Sequence, residues 1–276
     1  MTNLRIAAAQ LNSQEDVTEN LTVVERLAGE ARQQGASVLL LPENFAFLGG
    51  TDEQRRTVAE AVDGNGPILA TLRRLAREHD LTVIGGGFPE RTTNPDRPHN
   101  TAVVVGPDGE VKAVYRKIHL FDVEVGDGQT YRESAAVTPG ETPVVVEIQG
   151  VPVGLSICYD IRFPELYRRL VDLGAEVLLV PAAFTLVTGK DHWHVLLRAR
   201  AIESQCYVVA AAQWGTHPRG RTTFGKSLIV DPWGDVIAQA SEGVGLVTAT
   251  IDRERLRRVR VSLPSLRHRR LQLELA

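Results

Sequence analysis

The chain has 276 residues, 43% of them hydrophobic and 24% charged, and this balance lets a globular protein bury enough apolar surface to offset its ordering entropy. A formal net charge of -3 supplies no broad electropositive field, so DNA and RNA are not expected as partners. The first ten residues lack a basic segment followed by a long apolar run, and no later run is long enough to span a bilayer. We therefore expect a cytoplasmic protein without a membrane partner that acts on small molecules.

The first predicted elements form a β-α-β unit. Residues 4–9 predict a buried strand, and apolar residues at helical spacing predict a helix over 17–34 that ends at Gly35. Residues 38–41 are an unalternating apolar run, which is typical of strands that are covered on both faces.

The same pattern returns later in the chain. A strand is predicted over 151–157, a helix over 164–173 and a strand within 174–181, whose sequence GAEVLLVP echoes GASVLLLP at 35–42. Predicted hairpins over 103–114 and 228–238 also form a pair, because each contains a Pro-Asp-Gly or Pro-Trp-Gly turn. The two halves of the chain therefore look duplicated.

Duplicated halves of this kind predict an α/β protein with two mixed sheets packed face to face. Helices over 17–34, 67–79, 164–173 and 193–204 would cover the outer faces, which gives a four-layer α-β-β-α sandwich with two pseudo-symmetric halves. A three-layer doubly wound fold is the alternative. We expect one domain over residues 1–276, with a tail over about 264–276.

The chain has two cysteines, too few for a disulfide framework or a thiolate metal cage. Cys158 lies at the carboxyl end of the predicted strand 151–157, shortly before a helix that has Pro164 in its first turn. Reactive groups of α/β sheets gather at such ends, and a helix start stabilises a thiolate. A small buried hydrophobe is the alternative for Cys158, and it is our interpretation of Cys206.

Two charged residues also follow predicted strands. Glu43 ends strand 38–41, at a position that we expect to be equivalent to that of Cys158 in the other half, and desolvation is expected to raise its pKa toward neutrality. Lys117 follows strand 111–116, and its compact ammonium suits a developing oxyanion. A strand-end acid and a solvated lysine are the alternatives.

Three segments make the pattern specific: LPE at 41–43, YRKIHLFD at 115–122 and SICYDIRFPE at 156–165. They resemble the three catalytic blocks of the nitrilase-like carbon–nitrogen hydrolase superfamily, in the order that the family has. Within that superfamily, segments between 183 and 213 most resemble the Nit1-type branch, whose members act as deaminated glutathione amidases.

The resemblance implies a mechanism. Glu43 accepts the Cys158 proton, and the thiolate attacks a primary amide while the oxyanion forms beside Lys117 and the backbone N–H of Tyr159. Ammonia then leaves, and Glu43 activates the water that hydrolyses the thioester. Glu133 resembles the family's second glutamate, which orients the lysine and the substrate nitrogen.

We expect no metal and no organic cofactor, because the histidines show no ligand spacing joined to the cysteines. Arg162 is the candidate for binding a substrate carboxylate through a bidentate fork, with a structural ion pair as the alternative. By resemblance, four further residues are expected to line the substrate pocket: Phe184, Thr185, Thr188 and Trp193.

Several alternatives remain open at this point. The substrate is either deaminated glutathione or that of an ω-amidase acting on α-ketoglutaramate, another aliphatic amidase, an N-carbamoyl hydrolase or a nitrilase. A papain-like protease is disfavoured, because the surroundings of Cys158 lack that family's signature. From a different class, the chain is a catalytically silent binding protein on the same fold. The resemblance also implies a homodimer formed through the helix after Cys158 and the C-terminal tail.

Overall fold

A computed structural model describes residues 4–126 and 130–271 of the chain. The helices are α1 (Val17–Gln33), α2 (Asp52–Thr57), α3 (Pro67–His79), α4 (Glu133–Ala136), α5 (Pro164–Asp172), α6 (Leu186–Ser204) and α7 (Arg253–Ser262). The strands are β1 (Leu4–Leu11), β2 (Val38–Leu40), β3 (Thr82–Glu90), β4 (His99–Val105), β5 (Val111–Arg116), β6 (Asp122–Glu124), β7 (Thr130–Arg132), β8 (Val145–Ile148), β9 (Val151–Leu155), β10 (Val177–Leu179), β11 (Tyr207–Ala210), β12 (Ala212–Thr216), β13 (Thr222–Phe224), β14 (Leu228–Val230), β15 (Val236–Gln239) and β16 (Gly245–Ile251).

Two large sheets have matching strand orders. In the first sheet, β1, β2 and β3 are parallel neighbours, β4 and β5 continue the sheet antiparallel, and β16 pairs antiparallel with β1. In the second sheet, β9, β10 and β11 are parallel, β14 and β15 are antiparallel, and β8 pairs antiparallel with β9. The predicted duplication of the chain, including the pairing of its two hairpins, is therefore confirmed.

The side chains of β1 alternate between two cores, as the period of a strand requires. Leu4 and Ile6 belong to a buried cluster shared with the second sheet, whereas Ala7 and Ala9 belong to a cluster shared with α1 and α3. Helices α5 and α6 pack against the other side of the second sheet through residues of the first cluster. The predicted four-layer α-β-β-α sandwich is confirmed.

Local sequence explains where the outer helices begin. The Asp16 side chain accepts a hydrogen bond from the Glu19 N–H and so caps α1, and Pro67 occupies the first turn of α3. Helix α6 begins at Leu186, seven residues before the predicted start at Trp193, because the Thr185 side chain caps it. Polar residues in the first two turns of α6 hide this start from a search for apolar periodicity.

The described part of the predicted tail contacts the rest of the protein. A 3-10 turn spans Ser265–His268, and Arg269 forms an ion pair with Asp172 at the end of α5. The last part of the predicted tail, residues 272–276, lies outside the described residues. Within the ranges 4–126 and 130–271, no helix is long and apolar enough to cross a membrane.

Candidate active site

Cys158 stands on a sharp turn after β9. Its backbone has φ 48°, in the left-handed region, and its N–H donates a 2.8 Å hydrogen bond to the Pro181 carbonyl oxygen. A 3-10 turn over Cys158–Arg162 follows, and α5 begins at Pro164 as predicted. The turn leaves the Cys158 side chain 7% exposed, at the carboxyl end of the strand where a small ligand can reach it.

The Asp160 carboxylate holds this turn in place. It is fully buried and accepts hydrogen bonds from the Ile157 N–H (2.8 Å), the Tyr115 hydroxyl (2.6 Å) and the His119 N–H (3.0 Å). The His119 ring contacts the same carboxylate through Nδ1 at 2.7 Å and stacks on Phe163 with centroids 3.7 Å apart. Because two segments from different sheets meet at Asp160, the position of Cys158 is set by both sheets.

Lys117 lies between two carboxylates. Its Nζ donates hydrogen bonds to Glu43 Oε1 at 2.9 Å and to Glu133 Oε2 at 2.8 Å, and the lysine side chain is only 2% exposed. Glu43 Oε2 accepts the Ala183 N–H at 3.0 Å, and Glu133 Oε2 accepts the Phe121 N–H at 2.7 Å. Each oxygen of this buried group therefore has a defined donor, which fixes the cluster.

Asn100 was not predicted as a site residue. Its Nδ2 donates to Glu43 Oε1 at 2.9 Å and to Glu133 Oε1 at 3.2 Å, so the amide ties both carboxylates together. The Lys117 N–H donates to the Asn100 carbonyl oxygen at 2.9 Å, because the β4–β5 ladder ends at this pair. No motif marks a lone asparagine near a strand start, and only the strand register could have pointed to it.

The charges in the cluster shift the pKa values in opposite directions. Burial raises the pKa of Glu43, but the Lys117 ammonium, its hydrogen bond and the Arg221 charge outweigh burial, so the pKa lies below its usual range. The expected rise in this pKa is wrong, since the prediction counted desolvation and left out the paired lysine. Burial and the negative charge of Glu43 raise the pKa of Cys158 above that of an ordinary thiol.

Lys117 stays positively charged. Burial lowers its pKa, but the Glu133 and Glu43 carboxylates raise it by more, so the net shift is upward. The resting site therefore combines a neutral thiol, an ionised Glu43 and an ammonium, which is the charge state that general-base activation of a thiol requires.

Glycines let the strand ends approach one another. A Cβ at Gly86 would lie 1.9 Å from the Leu41 carbonyl oxygen and 2.4 Å from Pro181 Cβ. A Cβ at Gly87 would lie 2.7 Å from Asn100 Oδ1. Because no side chain fits at either position, β3 passes directly behind the segment that carries Glu43.

A cavity of about 310 Å³ opens over the cluster. Its lining includes the catalytic candidates Glu43, Lys117, Glu133 and Cys158, and also Tyr159. Of the residues expected to line a substrate pocket, three do so: Phe184, Thr185 and Thr188. Four arginines that were not predicted also line the cavity: Arg55, Arg132, Arg219 and Arg221.

Two predicted substrate-binding residues lie away from the cavity surface. Trp193 is fully buried, its indole N–H donates to the Lys226 carbonyl oxygen at 2.9 Å, and its ring packs behind Phe184. Arg162 is not a lining residue; its guanidinium contacts the His192 ring and lies over the Phe184 ring, 5.1 Å from the centroid. Trp193 and Arg162 therefore pack against Phe184, which forms one wall of the cavity (the Phe184 wall).

A family model described as carbon-nitrogen hydrolase matches residues 5–261. The chain belongs to the carbon–nitrogen hydrolase family. The assignment to the nitrilase superfamily from three motifs is confirmed, and the protein hydrolyses carbon–nitrogen bonds other than peptide bonds.

Members of this family with known names or structures resemble the chain over nearly its full length. A Synechocystis sp. protein named deaminated glutathione amidase is 48% identical over 266 residues, 95% of this chain and 97% of that protein. The crystal structure of the C. elegans NitFhit protein has a TM-score of 0.91 at 38% identity; the match covers 97% of this chain and 65% of that one. A mutant of the amidase from Nesterenkonia sp. AN1, showing Michael addition of acrylamide at the active site cysteine, has a TM-score of 0.77 at 29% identity, covering 95% and 98%.

One detail of the duplication differs from the prediction. Glu43 follows β2, whose counterpart in the second half is β10, whereas Cys158 follows β9, the counterpart of β1. The two residues therefore do not occupy equivalent strand ends. They meet because the two sheets face each other, and the segment after β10 supplies Pro181 to the Cys158 turn and Ala183 to the Glu43 carboxylate.

Other candidate sites are weaker. Cys206 is fully buried, its thiol contacts the Ala175 carbonyl oxygen at 3.2 Å, and burial raises its pKa to about 11, so it is an unreactive core thiol. Within the described part of the chain, no three His, Cys, Asp or Glu side chains are grouped so as to hold a metal ion.

Proposed function

We propose that the chain is a deaminated glutathione amidase that works through a thioester on Cys158. The observation that carries this proposal is the buried Glu43–Lys117–Glu133 cluster beside Cys158 at the bottom of an open cavity. The choice of substrate is supported by relatives of that name that are 43% to 48% identical to the chain. The chemistry itself follows from the charge state of the site.

In the first half-reaction, Glu43 takes the proton of the Cys158 thiol as the thiolate attacks the amide carbonyl carbon. The carbonyl oxygen becomes an oxyanion beside the Lys117 ammonium and the Tyr159 N–H, which stabilise the tetrahedral state more than the substrate. The C–N bond then breaks, and Glu43 returns the proton to the leaving amine. The acyl group remains on sulfur as a thioester.

In the second half-reaction, Glu43 removes a proton from water as the water oxygen attacks the thioester. The C–S bond breaks, the acyl group leaves as a carboxylic acid, and the proton returns to the Cys158 sulfur. Glu133 holds Lys117 in place through both steps, because its Oε2 accepts from the ammonium at 2.8 Å. Asn100 joins Glu43 and Glu133, because its Nδ2 donates to both carboxylates.

The leaving group depends on the substrate. In deaminated glutathione the amide nitrogen carries cysteinylglycine, so hydrolysis releases this dipeptide and 2-oxoglutarate. Ammonia, which the sequence led us to expect, is the product only of a primary amide such as α-ketoglutaramate. An assay that detects ammonia alone would therefore miss the proposed reaction.

The experiment follows both amines. Purified protein is given deaminated glutathione or α-ketoglutaramate, and cysteinylglycine and ammonia are quantified separately. We expect a higher kcat/KM for the first substrate, and loss of turnover by about a thousand-fold or more in Cys158→Ser. Preference for α-ketoglutaramate would instead identify an ω-amidase, and turnover that survives in Cys158→Ser would exclude the thioester.

Cys206→Ser is the matched control, because it changes the other buried cysteine away from the cavity. Its turnover should stay close to that of the unchanged protein. The homodimer, the cytoplasmic location and the single-domain organisation are predictions that accompany the proposal, and gel filtration with light scattering tests the first of them.

A further inference from the structure

Arg221 lies at the other end of a main-chain bridge from the general base. The Ala183 N–H donates to Glu43 Oε2 at 3.0 Å, and the Ala183 carbonyl oxygen accepts from Arg221 Nη2 at 3.0 Å. The guanidinium therefore lies one residue of backbone away from the carboxylate that activates the thiol. In a five-carbon acyl group the terminal carboxylate is about 5 Å from the reacting carbonyl carbon, and both Arg221 and Cys158 line the same cavity.

Uncharged groups hold the Arg221 guanidinium in place, so these contacts do not neutralise its charge. Its guanidinium lies over the Tyr131 ring at 5.7 Å from the centroid, and its Nε is buried without a hydrogen-bond partner. A carbonyl oxygen and an aromatic face fix the side chain while leaving its positive charge available. A half-buried guanidinium in this state favours an anionic ligand.

The charge of the cavity supports the same ligand. Its described lining contains five basic residues, Arg55, Lys117, Arg132, Arg219 and Arg221, against three acidic ones, Asp52, Glu43 and Glu133. The two glutamates are already engaged by Lys117. The rest of the described lining contains more basic residues than acidic ones, and such an excess attracts an acid.

The segment that carries Arg221 is anchored at both sides. His217 is buried, with Nδ1 2.8 Å from the Ser13 carbonyl oxygen and Nε2 2.7 Å from Thr223 Oγ1. Pro218 packs so closely on Gly49 that a Cβ there would lie 2.8 Å from Pro218 Cβ. Because this segment is fixed, the guanidinium is pre-organised to bind its ligand.

We propose that Arg221, and not Arg162, binds the carboxylate on the acyl half of the substrate and so selects ω-amides of dicarboxylic acids. The inference rests on the proposed function, since it names the specificity of the same site. Arg162 contacts the His192 ring at 3.3 Å and 3.4 Å behind the Phe184 wall, whereas Arg221 lines the cavity.

The test removes the charge first from Arg221 and then from the acyl end of the substrate. Turnover of deaminated glutathione is compared with that of N-(4-oxopentanoyl)-cysteinylglycine, in which a methyl group replaces the acyl carboxylate. We expect Arg221→Gln to lower kcat/KM about 30-fold for deaminated glutathione and by about twofold or less for the methyl analogue, because only the first substrate loses a charged hydrogen bond. Arg221→Lys should recover part of the loss.

Two further variants are measured with the same pair of substrates. Arg198→Gln is the matched control, since the Arg198 guanidinium also donates to a backbone oxygen, from Nε to that of Gly234 at 2.8 Å, away from the cavity. This variant should behave like the unchanged protein. Equal losses on both substrates in Arg221→Gln would reduce Arg221 to a structural role. A carboxylate-dependent loss in Arg162→Gln instead would overturn the proposal.

A binding measurement separates this inference from the proposed function. Calorimetry with 2-oxoglutarate, which keeps the acyl carboxylate, is run on Cys158→Ser with and without Arg221→Gln. We expect the Kd to rise about tenfold or more in the double variant. If the unchanged protein hydrolyses neither substrate, the proposed function fails, and the two Kd values still decide the role of Arg221; equal values would refute it.

Discussion

The Tyr115 hydroxyl donates a 2.6 Å hydrogen bond to Asp160 Oδ2, and this contact joins the first sheet to a turn that follows a strand of the second. Tyr115 lies in β5 of the first sheet, whereas Asp160 lies in the turn after β9 of the second. Burial and the neighbouring Asp160 charge raise the pKa of Tyr115 well above its usual range, so the phenol remains a donor. The nucleophile turn is thus attached to the sheet that carries Lys117.

Replacing Asp160 by asparagine tests this attachment. The donors share two carboxylate oxygens in the unchanged protein, whereas the asparagine amide offers one acceptor oxygen. We therefore expect a loss of about 3 kcal/mol in the free energy of unfolding. The kcat should fall as well, because the turn that aims Cys158 loosens. Urea unfolding and turnover check both effects. Tyr115→Phe is the control, with a loss of about 1 kcal/mol; an unchanged Asp160→Asn midpoint would contradict the role.

Replacing Glu43 by glutamine should abolish turnover and yet lower the pKa of Cys158. Burial and the Glu43 charge both raise this pKa, while Lys117 lowers it, so removing the carboxylate takes away one of the two effects that oppose the lysine. The pH dependence of iodoacetamide alkylation, followed by mass spectrometry, reports the thiol pKa. Glu133→Gln is the comparison, and its shift should be smaller. An upward shift in Glu43→Gln would show that the carboxylate does not act on the thiol.

His217 should make stability depend on pH. Burial lowers its folded pKa to about 4 from an ordinary 6.5, so between these values the unfolded chain takes up a proton that the folded chain does not. Stability is therefore complete above pH 6.5 and falls as the pH drops toward 4, by on the order of 3 kcal/mol. Denaturant unfolding at pH 7 and pH 4.5 measures the change. His217→Asn should flatten it, and the exposed His268→Gln should not.

Gly86 should not tolerate a side chain. Alanine there would place its Cβ 1.9 Å from the Leu41 carbonyl oxygen, so β3 must move or the protein must unfold. We expect a loss of more than about 3 kcal/mol, measured by thermal unfolding. Gly245→Ala is the control, because a Cβ at that glycine meets no atom within 4 Å. Similar melting temperatures for both variants would mean that the close approach is not required.

The fold was largely predictable, because buried parallel strands are encoded by uninterrupted runs of apolar residues. The segment GASVLLLP and its echo GAEVLLVP contain β2 and β10, and the helix over 67–79 matches α3. Strand ends were extended by one or two residues, as at 151–157 against Val151–Leu155, since Ser156 and Ile157 are buried like strand residues but belong to the turn. Short or polar elements such as β6, β7 and α7 left too little pattern to predict.

Some residues of the candidate site were predictable from the sequence and others were not. Residues inside contiguous motifs, such as Glu43, Lys117 and Cys158, were found from sequence and come together in the structure. Asn100 and Arg221 were missed because their roles depend on which strands and segments face each other, a long-range property that no local spacing records. Arg162 was favoured by its place in a motif, although its guanidinium lies behind an aromatic wall.

Ala183 joins the general base to the arginine through its N–H and its carbonyl oxygen, and its methyl group takes no part. Alanine scanning is blind to such a residue, because the position is already alanine and most replacements keep the same backbone. An amide-to-ester substitution at the peptide bond between Ala182 and Ala183 would delete the N–H that donates to Glu43 and keep every side chain. Chemical mutation of the backbone is therefore the way to measure how strongly the two halves of the site are coupled.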